Sequence, residues 1–260
     1  GNQNGAPLLL RQRPGYLESD SSGLPEDERE LVRLARKRHH STKTWLAFNA
    51  WVALNVLLWA PLEELLFVAL IATWVYAPID PWILTAITPL AYFGLGALHA
   101  LFVCAMKWIV VGRYRAGNYA YYGAFHHKWV MMMALADSVD GFASSLHGTA
   151  FARLYNQLLG AKIGSDVYLH SDSLESDLLT IGPQTSVNED CDITCHTVEN
   201  MVLKLAPVQL GDRSTLRSYS VVMPGGTMEE RSTLLEQSQV LKGETVNSDS
   251  VWAGLPARRL

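Results

Sequence analysis

The chain has few cysteines and no excess of positive charge. It contains three cysteines among 260 residues, Cys104, Cys191 and Cys195, and Cys104 lies in an apolar segment. So few cysteines cannot form the disulfide framework of a small secreted domain, which favours a reducing compartment for the globular part. The formal net charge of −4 argues against a nucleic-acid-binding protein, because such proteins carry clustered positive charge.

Charged residues are absent from three long stretches, 44–62, 65–79 and 81–106. A bilayer core needs about 20 apolar residues per helix, and 81–106 is longer than the usual core helix of a soluble protein. Two transmembrane helices, at 45–65 and 82–106, therefore fit best within the apolar region 44–112. Residues 66–80 are then a short apolar or re-entrant link, or an extension of the first span.

Basic residues flank the two expected spans, and acidic residues lie between them. The sequence Arg-Lys-Arg at 36–38 precedes the first span, and Lys107, Arg113 and Arg115 follow the second. The positive-inside rule then places both flanks on the cytoplasmic side, so the number of crossings is even. The polar N-terminus lacks the pattern of a cleavable signal peptide, and a start at Gly1 suggests a piece of a longer protein.

The other polar segments complete the expected organisation. Residues 1–24 are rich in Gly, Asn, Gln, Pro and Ser and indicate a linker. Residues 25–43 begin with acids and end with bases, which predicts an amphipathic juxtamembrane helix. Residues 113–160 are aromatic and contain Met and His, and we expect them to form helices on the membrane surface.

Aliphatic residues recur at steps of six in the last hundred residues. The longest series is Leu210, Leu216, Val222, Met228, Leu234 and Val240. Four positions after each of the first five stands a small residue: Ser214, Ser220, Gly226, Ser232 and Ser238. An earlier series with the same step contains Ile163, Leu169, Ile181, Val187 and Ile193. A step of six fits neither a helix nor a plain strand alternation, and it is typical of the hexapeptide repeat of a β-solenoid. The alternative is a sandwich of short strands with a coincidental spacing.

The end of the chain supports the solenoid interpretation. Residues 251–258, V-W-A-G-L-P-A-R, resemble the G-x-P-A-R/K terminus of hexapeptide-repeat acyltransferases. That resemblance implies a left-handed parallel β-helix over 161–260. The step of six breaks at 198–207, which we interpret as a loop leaving one corner, where binding and catalytic sites are often built. The predicted fold class is thus α plus β-solenoid, with two transmembrane helices.

Five short motifs carry a more specific resemblance. They lie at 111–117, 146–149, 158–164, 178–182 and 194–204, with Asn188 and Glu189 between the last two. From about residue 36 to the end, the chain resembles the C-terminal membrane region of nonribosomal-peptide-synthetase-like proteins of the ε-poly-lysine synthetase type. The resemblance implies tandem acetyltransferase-like units, each with a pair of transmembrane helices. In such proteins an adenylation domain activates an amino acid, and a carrier domain holds it as a phosphopantetheine thioester.

Histidine is the residue type that such chemistry needs most. A thioester is already activated, so amide formation needs a deprotonated amine, and a neutral His with a pKa near about 6.5 is a suitable general base. No G-x-S-x-G nucleophile motif is present. His196 is the first candidate, with Glu199 to orient its ring and Lys204 to bind a carboxylate or phosphate.

Two other histidines are alternative bases. His170 has Asp172 two positions later, which would place both side chains on one face of a strand. His147 precedes the repeats and either caps a helix or enters the site. Asn188 and Glu189, which belong to the motifs above, are expected to contact the substrate or phosphopantetheine.

We predict no metal site. Cys191, Cys195 and His196 lie close together in sequence, but a fourth ligand is missing, and cysteine is common as a small core residue. The pair at 126–127 begins like the H-H-x-x-x-D-G signature of condensation domains, but Met131 stands at the acid position.

The predicted function is a membrane-embedded, acyltransferase-like unit that forms amide bonds from carrier-bound aminoacyl thioesters, with the β-helix on the cytoplasmic side. No cofactor is expected to be bound directly, because the carrier domain delivers the phosphopantetheine. The expected partners are the carrier and adenylation domains, neighbouring β-helix units in a trimer or pseudo-trimer, and the lipid bilayer. Two alternatives stay open: an O- or N-acetyltransferase that uses acyl-CoA, and a catalytically silent structural unit.

Overall fold

The computed structural model describes residues 24–260 except 60, 77 and 172. All of the expected linker but Leu24 therefore lies outside the described residues, as does Asp172, the predicted partner of His170. The helices are α1 (Glu26–His40), α2 (Thr42–Trp59), α3 (Leu62–Tyr76), α4 (Pro81–Val110), α5 (Ala124–Asp137), α6 (Asp140–Ser145) and α7 (Ala150–Leu159).

The apolar region forms three helices rather than two. The expected first span, 45–65, is divided between α2 and α3, and most of the expected link 66–80 lies in α3. The division lies at Pro61. A proline has no N–H to donate and is tolerated only in the first turn of a helix, so a single continuous helix is disfavoured there. Within the described residues, α4 alone is long and apolar enough to cross a bilayer, by length and composition.

The segment after α4 differs from an all-helical membrane-surface layer. The expected helices over 113–160 are α5, α6 and α7, and a strand that was not expected, β1 (Gly117–Ala120), precedes them. Helices α5, α6 and α7 then pack against the C-terminal half of α4, with Val103, Met132, Leu135 and Phe142 in their shared core.

From Lys162 onward the chain forms short strands. In chain order they are β2 (Lys162–Ile163), β3 (Tyr168–Leu169), β4 (Leu179–Ile181), β5 (Ser186–Val187), β6 (Asp192–Ile193), β7 (His196–Glu199), β8 (Val202–Leu205), β9 (Val208–Leu210), β10 (Thr215–Leu216), β11 (Val221–Val222), β12 (Thr227–Met228), β13 (Thr233–Leu234), β14 (Gln239–Val240), β15 (Thr245–Val246), β16 (Val251–Ala253) and β17 (Arg258–Arg259).

All of these strands except β7 and β8 form three sheets, and the chain enters the three sheets one after another. We call the strands of these three sheets the coil. The strand orders of the three sheets are β15-β12-β9-β4-β2, β17-β16-β13-β10-β5-β3 and β14-β11-β6. Strands β9, β10 and β11 enter the first, second and third sheet, and β12, β13 and β14 repeat that order. Within the sheets the strands are parallel, except for the terminal pair β16–β17. Leu216 is in register with Leu234, three hexads later, and Val222 with Val240. Each side of the coil is therefore one hexad.

The two positions that define each hexad have different structural roles. The aliphatic residues of the long series face inward, and Leu216, Val222 and Met228 are fully buried. The small residues stand at the corners, where Ser214 and Ser220 are also fully buried. The residue before each corner has a positive φ, as at Arg213 (57°) and Gly225 (79°). The same corner position holds Thr185 and Cys191 in the second turn, and both are buried as well.

The break in the repeat is a hairpin rather than an irregular loop. Strands β7 and β8 pair antiparallel across a turn at Asn200 and Met201, both with positive φ, as two-residue hairpin turns require. The predicted loop was 198–207. The observed hairpin begins two residues earlier, at His196, and most of the predicted segment is strand. Strand β1 pairs antiparallel with β8, so the hairpin leaves the coil and joins the helical part of the chain.

A buried ion pair also connects the helices to the coil. Lys107 near the end of α4 lies 2.5 Å from an Asp177 oxygen, and both side chains are almost fully buried. The backbone N–H of Tyr114 donates to the same carboxylate at 2.9 Å. Tyr114 and Trp129 pack into the aliphatic core of the coil, so one hydrophobic cluster extends across the junction.

Candidate active site

His196 lies at the root of the hairpin, where the chain leaves the coil. It is the first residue of β7 and follows the fully buried Cys195. Its side chain is 30% exposed, so one part of the ring is accessible and the other is packed. Of the sequence-predicted residues, His196 has the surroundings of a general base.

The buried edge of His196 contacts a carboxylate that the sequence interpretation missed. Nδ1 of His196 is 3.1 Å from an oxygen of Glu175, whose side chain is only 2% exposed. The indole Nε1 of Trp129, on α5, donates to the same carboxylate at 2.6 Å. The Trp129 ring also meets the His196 ring edge-on, with 4.9 Å between centroids. Glu175 is thus fixed by two donors, and His196 is fixed by Glu175 and Trp129.

This arrangement defines the chemistry of the imidazole. A carboxylate at Nδ1 favours the tautomer with its proton on Nδ1, which leaves the lone pair on Nε2. Burial lowers the pKa of His196, but the hydrogen bond to Glu175 and the charges of Glu175 and Asp192 outweigh it, so the pKa lies above its usual value. The residue is suited to accept a proton and hold it briefly.

Glu199, predicted to orient His196, does not occupy that position. It pairs with Lys242 and lies 3.7 Å from Lys204 on the outer part of the hairpin. Lys204, predicted to bind a carboxylate or phosphate, is 2.7 Å from Glu28 of α1. The two residues therefore form ion pairs that hold α1 and a neighbouring coil corner against the hairpin.

His147 and His170 come together at a different place from His196. Their ring centroids are 4.8 Å apart, at the first turn of the coil and just before α7. The backbone N–H of Gly148 donates to the carbonyl of Leu169, which closes this contact. Two of the three predicted bases therefore lie together in the first turn of the coil, and His196 lies apart from them in the second turn.

Asn188 and Glu189 occupy a corner of the second coil turn. The Asn188 side-chain amide donates to the carbonyl of Leu216 at 2.6 Å, which holds one turn to the next. The Glu189 carbonyl accepts from the N–H of Tyr219. These contacts give both residues a role in the stacking of turns, and their expected contact with substrate or phosphopantetheine stays a prediction.

The cysteines beside the site are core residues. Cys191 and Cys195 are buried, and burial is the main cause that raises the pKa of Cys195 to about 12. A thiol in that state is a poor nucleophile at neutral pH. In the part of the chain that the structure describes, no group of three or more His, Cys, Asp or Glu residues is placed to hold a metal.

A cavity lies behind the site, between the helices and the coil. Its volume is about 190 Å³, and Ser173 and Leu174, directly before Glu175, form part of its wall. Asp137 and Asp140 lie on the helical side. Burial, with the charge of Asp140, raises the pKa of Asp137.

The sequence does contain a signal for Glu175. In the earlier hexad series, Leu169 and Ile181 are twelve positions apart, and Glu175 occupies the aliphatic position between them. Glu175 is accordingly buried like its aliphatic counterparts. A charged residue at a core position of a repeat is costly unless it is paired, so such a substitution marks a candidate site.

One curated protein is similar in sequence to most of this chain. A stretch of 168 residues, 64% of the chain, is 28% identical to the Delta-poly-L-ornithine synthetase of Acinetobacter baumannii. The predicted resemblance is confirmed. The chain spans only 12% of the length of that relative. No family model matches the chain.

Two acetyltransferases are among the solved structures with partial similarity. A hexapeptide-repeat acetyltransferase from Vibrio cholerae is 15% identical, with 46% of this chain and 86% of that chain covered and a TM-score of 0.38. A galactoside acetyltransferase in complex with coenzyme A is 16% identical, with 45% and 74% covered and a TM-score of 0.37. The proteins that this chain resembles are thus enzymes, one a synthetase and the others transferases.

Proposed function

We propose that the chain is an acyltransferase unit that forms amide bonds from carrier-bound aminoacyl thioesters, with His196 as general base. The observation that carries the proposal is the contact of His196 with the buried Glu175, which Trp129 holds in place. An imidazole with a carboxylate at Nδ1 and an accessible ring edge is the usual arrangement of a catalytic base.

The reaction follows from this geometry. The amine nitrogen attacks the thioester carbonyl carbon, a C–N bond forms, and the C–S bond breaks. Nε2 of His196 takes the proton that the attacking nitrogen must lose, and the thiolate leaving group receives it afterwards. Glu175 stabilises the imidazolium that exists between these two transfers.

The wider setting is part of the same proposal. The coil is a left-handed β-helix on the cytoplasmic side, two membrane crossings anchor it, and neighbouring units pack beside it as a trimer or pseudo-trimer. The adenylation and carrier domains belong to the same protein. The sequence similarity to a poly-ornithine synthetase supports this setting, and the long apolar α4 supports the membrane anchor.

Substitution of the proposed base tests the function. His196→Ala should lower the rate of amide formation from a carrier-bound aminoacyl thioester by about 10²- to 10⁴-fold, the usual contribution of a general base. His170→Ala is the control, because it removes a different histidine of the coil, the one that pairs with His147 in the first turn. Circular dichroism and size-exclusion chromatography would establish that both variants keep their fold.

The remaining outcomes separate the alternatives. An unchanged rate in His196→Ala, with a loss in His170→Ala or His147→Ala, would move the base to the first coil turn. Transfer from acyl-CoA but not from the carrier thioester would favour the coenzyme-A-dependent acetyltransferase. Full activity of all three variants within an active full-length protein would make this unit a structural one.

A further inference from the structure

Helix α7 presents an apolar face to its surroundings on the side where a soluble amphipathic helix would be polar. Ala152, Tyr155 and Leu159 pack inward against α4 and the adjoining helices. On the outer side Phe151 is 53% exposed and Leu154 50%. A surface helix of a soluble protein places charged or polar residues there, so this outer face requires a covering partner.

The exposed face of α7 continues into the exposed face of α4. At one end, the Phe151 ring lies 5.7 Å from the ring of Phe93. At the other end, the Trp108 indole donates to the carbonyl of Leu158 at 2.8 Å. Helix α7 is thus fixed along α4 between Phe93 and Trp108, and α4 is the one described helix that is long and apolar enough to cross a bilayer.

The same part of α4 also carries exposed apolar residues. Leu101 is 52% exposed and Ile109 77%. Lys107, the charged residue of this part of α4, points inward and pairs with Asp177, so it does not interrupt the surface. The large exposed side chains of the two helices are therefore apolar, and Gln157 is the exposed polar residue among the described residues at the C-terminal end of α7.

We infer that the outer face of α7, formed by Phe151, Leu154 and Leu158, contacts lipid acyl chains; this inference rests on the membrane anchor of the proposed function, in which a bilayer surrounds α4. The membrane then covers α7 as well as the membrane-crossing helices. Because α7 leads directly into β2, this contact fixes the first turn of the coil against the bilayer and sets the height of His196 above it.

Collision accessibility of a spin label tests this inference in the intact chain. Leu154→Cys, labelled with a nitroxide after reconstitution into phosphatidylcholine vesicles, should collide more often with oxygen, which concentrates in lipid, than with a water-soluble nickel chelate. Glu236→Cys, on an exposed side of the coil, is the control and should show the opposite order. The three native cysteines are buried, and the unsubstituted chain measures any labelling of them.

Two results would overturn the inference. A label at Leu154 that collides mainly with the nickel chelate would show that the face is in water. An immobilised label that neither reagent reaches, and that becomes mobile when the protein is diluted in lipid, would show that a second copy covers it. Neither result depends on acyl transfer, so the test stands apart from the assignment of His196.

Discussion

At the residue scale, the candidate site combines His196, which the sequence predicted as a base, with Glu175 and Trp129, which it did not. His196 was accessible to that reasoning because it is a histidine beside a break in a repeat. Glu175 was missed because the series was defined by its aliphatic residues, although the spacing of six puts Glu175 at a core position. Trp129 could not be assigned, because its contact with Glu175 joins two residues far apart in sequence through the packing of α5 on the coil.

The pH dependence of the reaction tests the role of Glu175. The rate requires neutral His196, so it should rise with pH through the pKa of His196, which lies above the usual 6.5. Glu175→Gln removes the carboxylate charge but keeps the size of the side chain. We expect the midpoint of the pH profile to move to lower pH, with a reduced maximal rate.

The control for this prediction is Glu199→Gln, which removes a carboxylate of the same hairpin. Glu199 pairs with lysines and not with His196, so its variant should keep the wild-type midpoint. Equal midpoints for Glu175→Gln and the wild type would contradict the assignment of Glu175 as the residue that raises the pKa.

At the element scale, local patterns identified the strands better than the connections. The step of six placed the buried aliphatic positions correctly, because each side of the coil repeats one local geometry. The hairpin and β1 were not predicted, because β1 pairs with β8 across a long sequence separation and only tertiary contact defines its register. The division of the first apolar stretch could have been read from Pro61, whose missing N–H disfavours a continuous helix.

The ion pair between α4 and the coil should contribute strongly to stability. Lys107→Met leaves the Asp177 carboxylate buried without its cation, and loss of one partner of such a pair costs about 3–5 kcal/mol. Urea unfolding in detergent, followed by tryptophan fluorescence, would measure this loss. The double variant Lys107→Met with Asp177→Asn should recover part of it, because no charge then remains unpaired. Additive losses in the double variant would show that the two side chains act independently.

At the scale of the whole molecule, the number of membrane crossings decides where the site faces. Helix α4 has 30 residues, about 45 Å at 1.5 Å per residue, which exceeds the hydrocarbon core of about 30 Å. Its C-terminal half is covered on one side by α5, α6 and α7, and its N-terminal half packs beside α3. From the basic flanks at 36–38 and 107–115 we expect both ends of the helical region to lie on one side of the membrane, and α2 and α3 together would then provide the second crossing.

Cysteine labelling from the two sides of the membrane would test this topology. Ser22→Cys and Asn247→Cys should react with an impermeant maleimide from the cytoplasmic side, because the positive-inside rule places both flanks there. Ile79→Cys, in the exposed link between α3 and α4, should react only from the opposite side. The same labelling after detergent treatment serves as the control for intrinsic reactivity.

If Ile79→Cys reacts from the same side as Asn247→Cys, then α3 and α4 enter and leave the same face of the bilayer. If Ser22→Cys and Asn247→Cys react from opposite sides, α4 is a single crossing and the two-span topology is wrong.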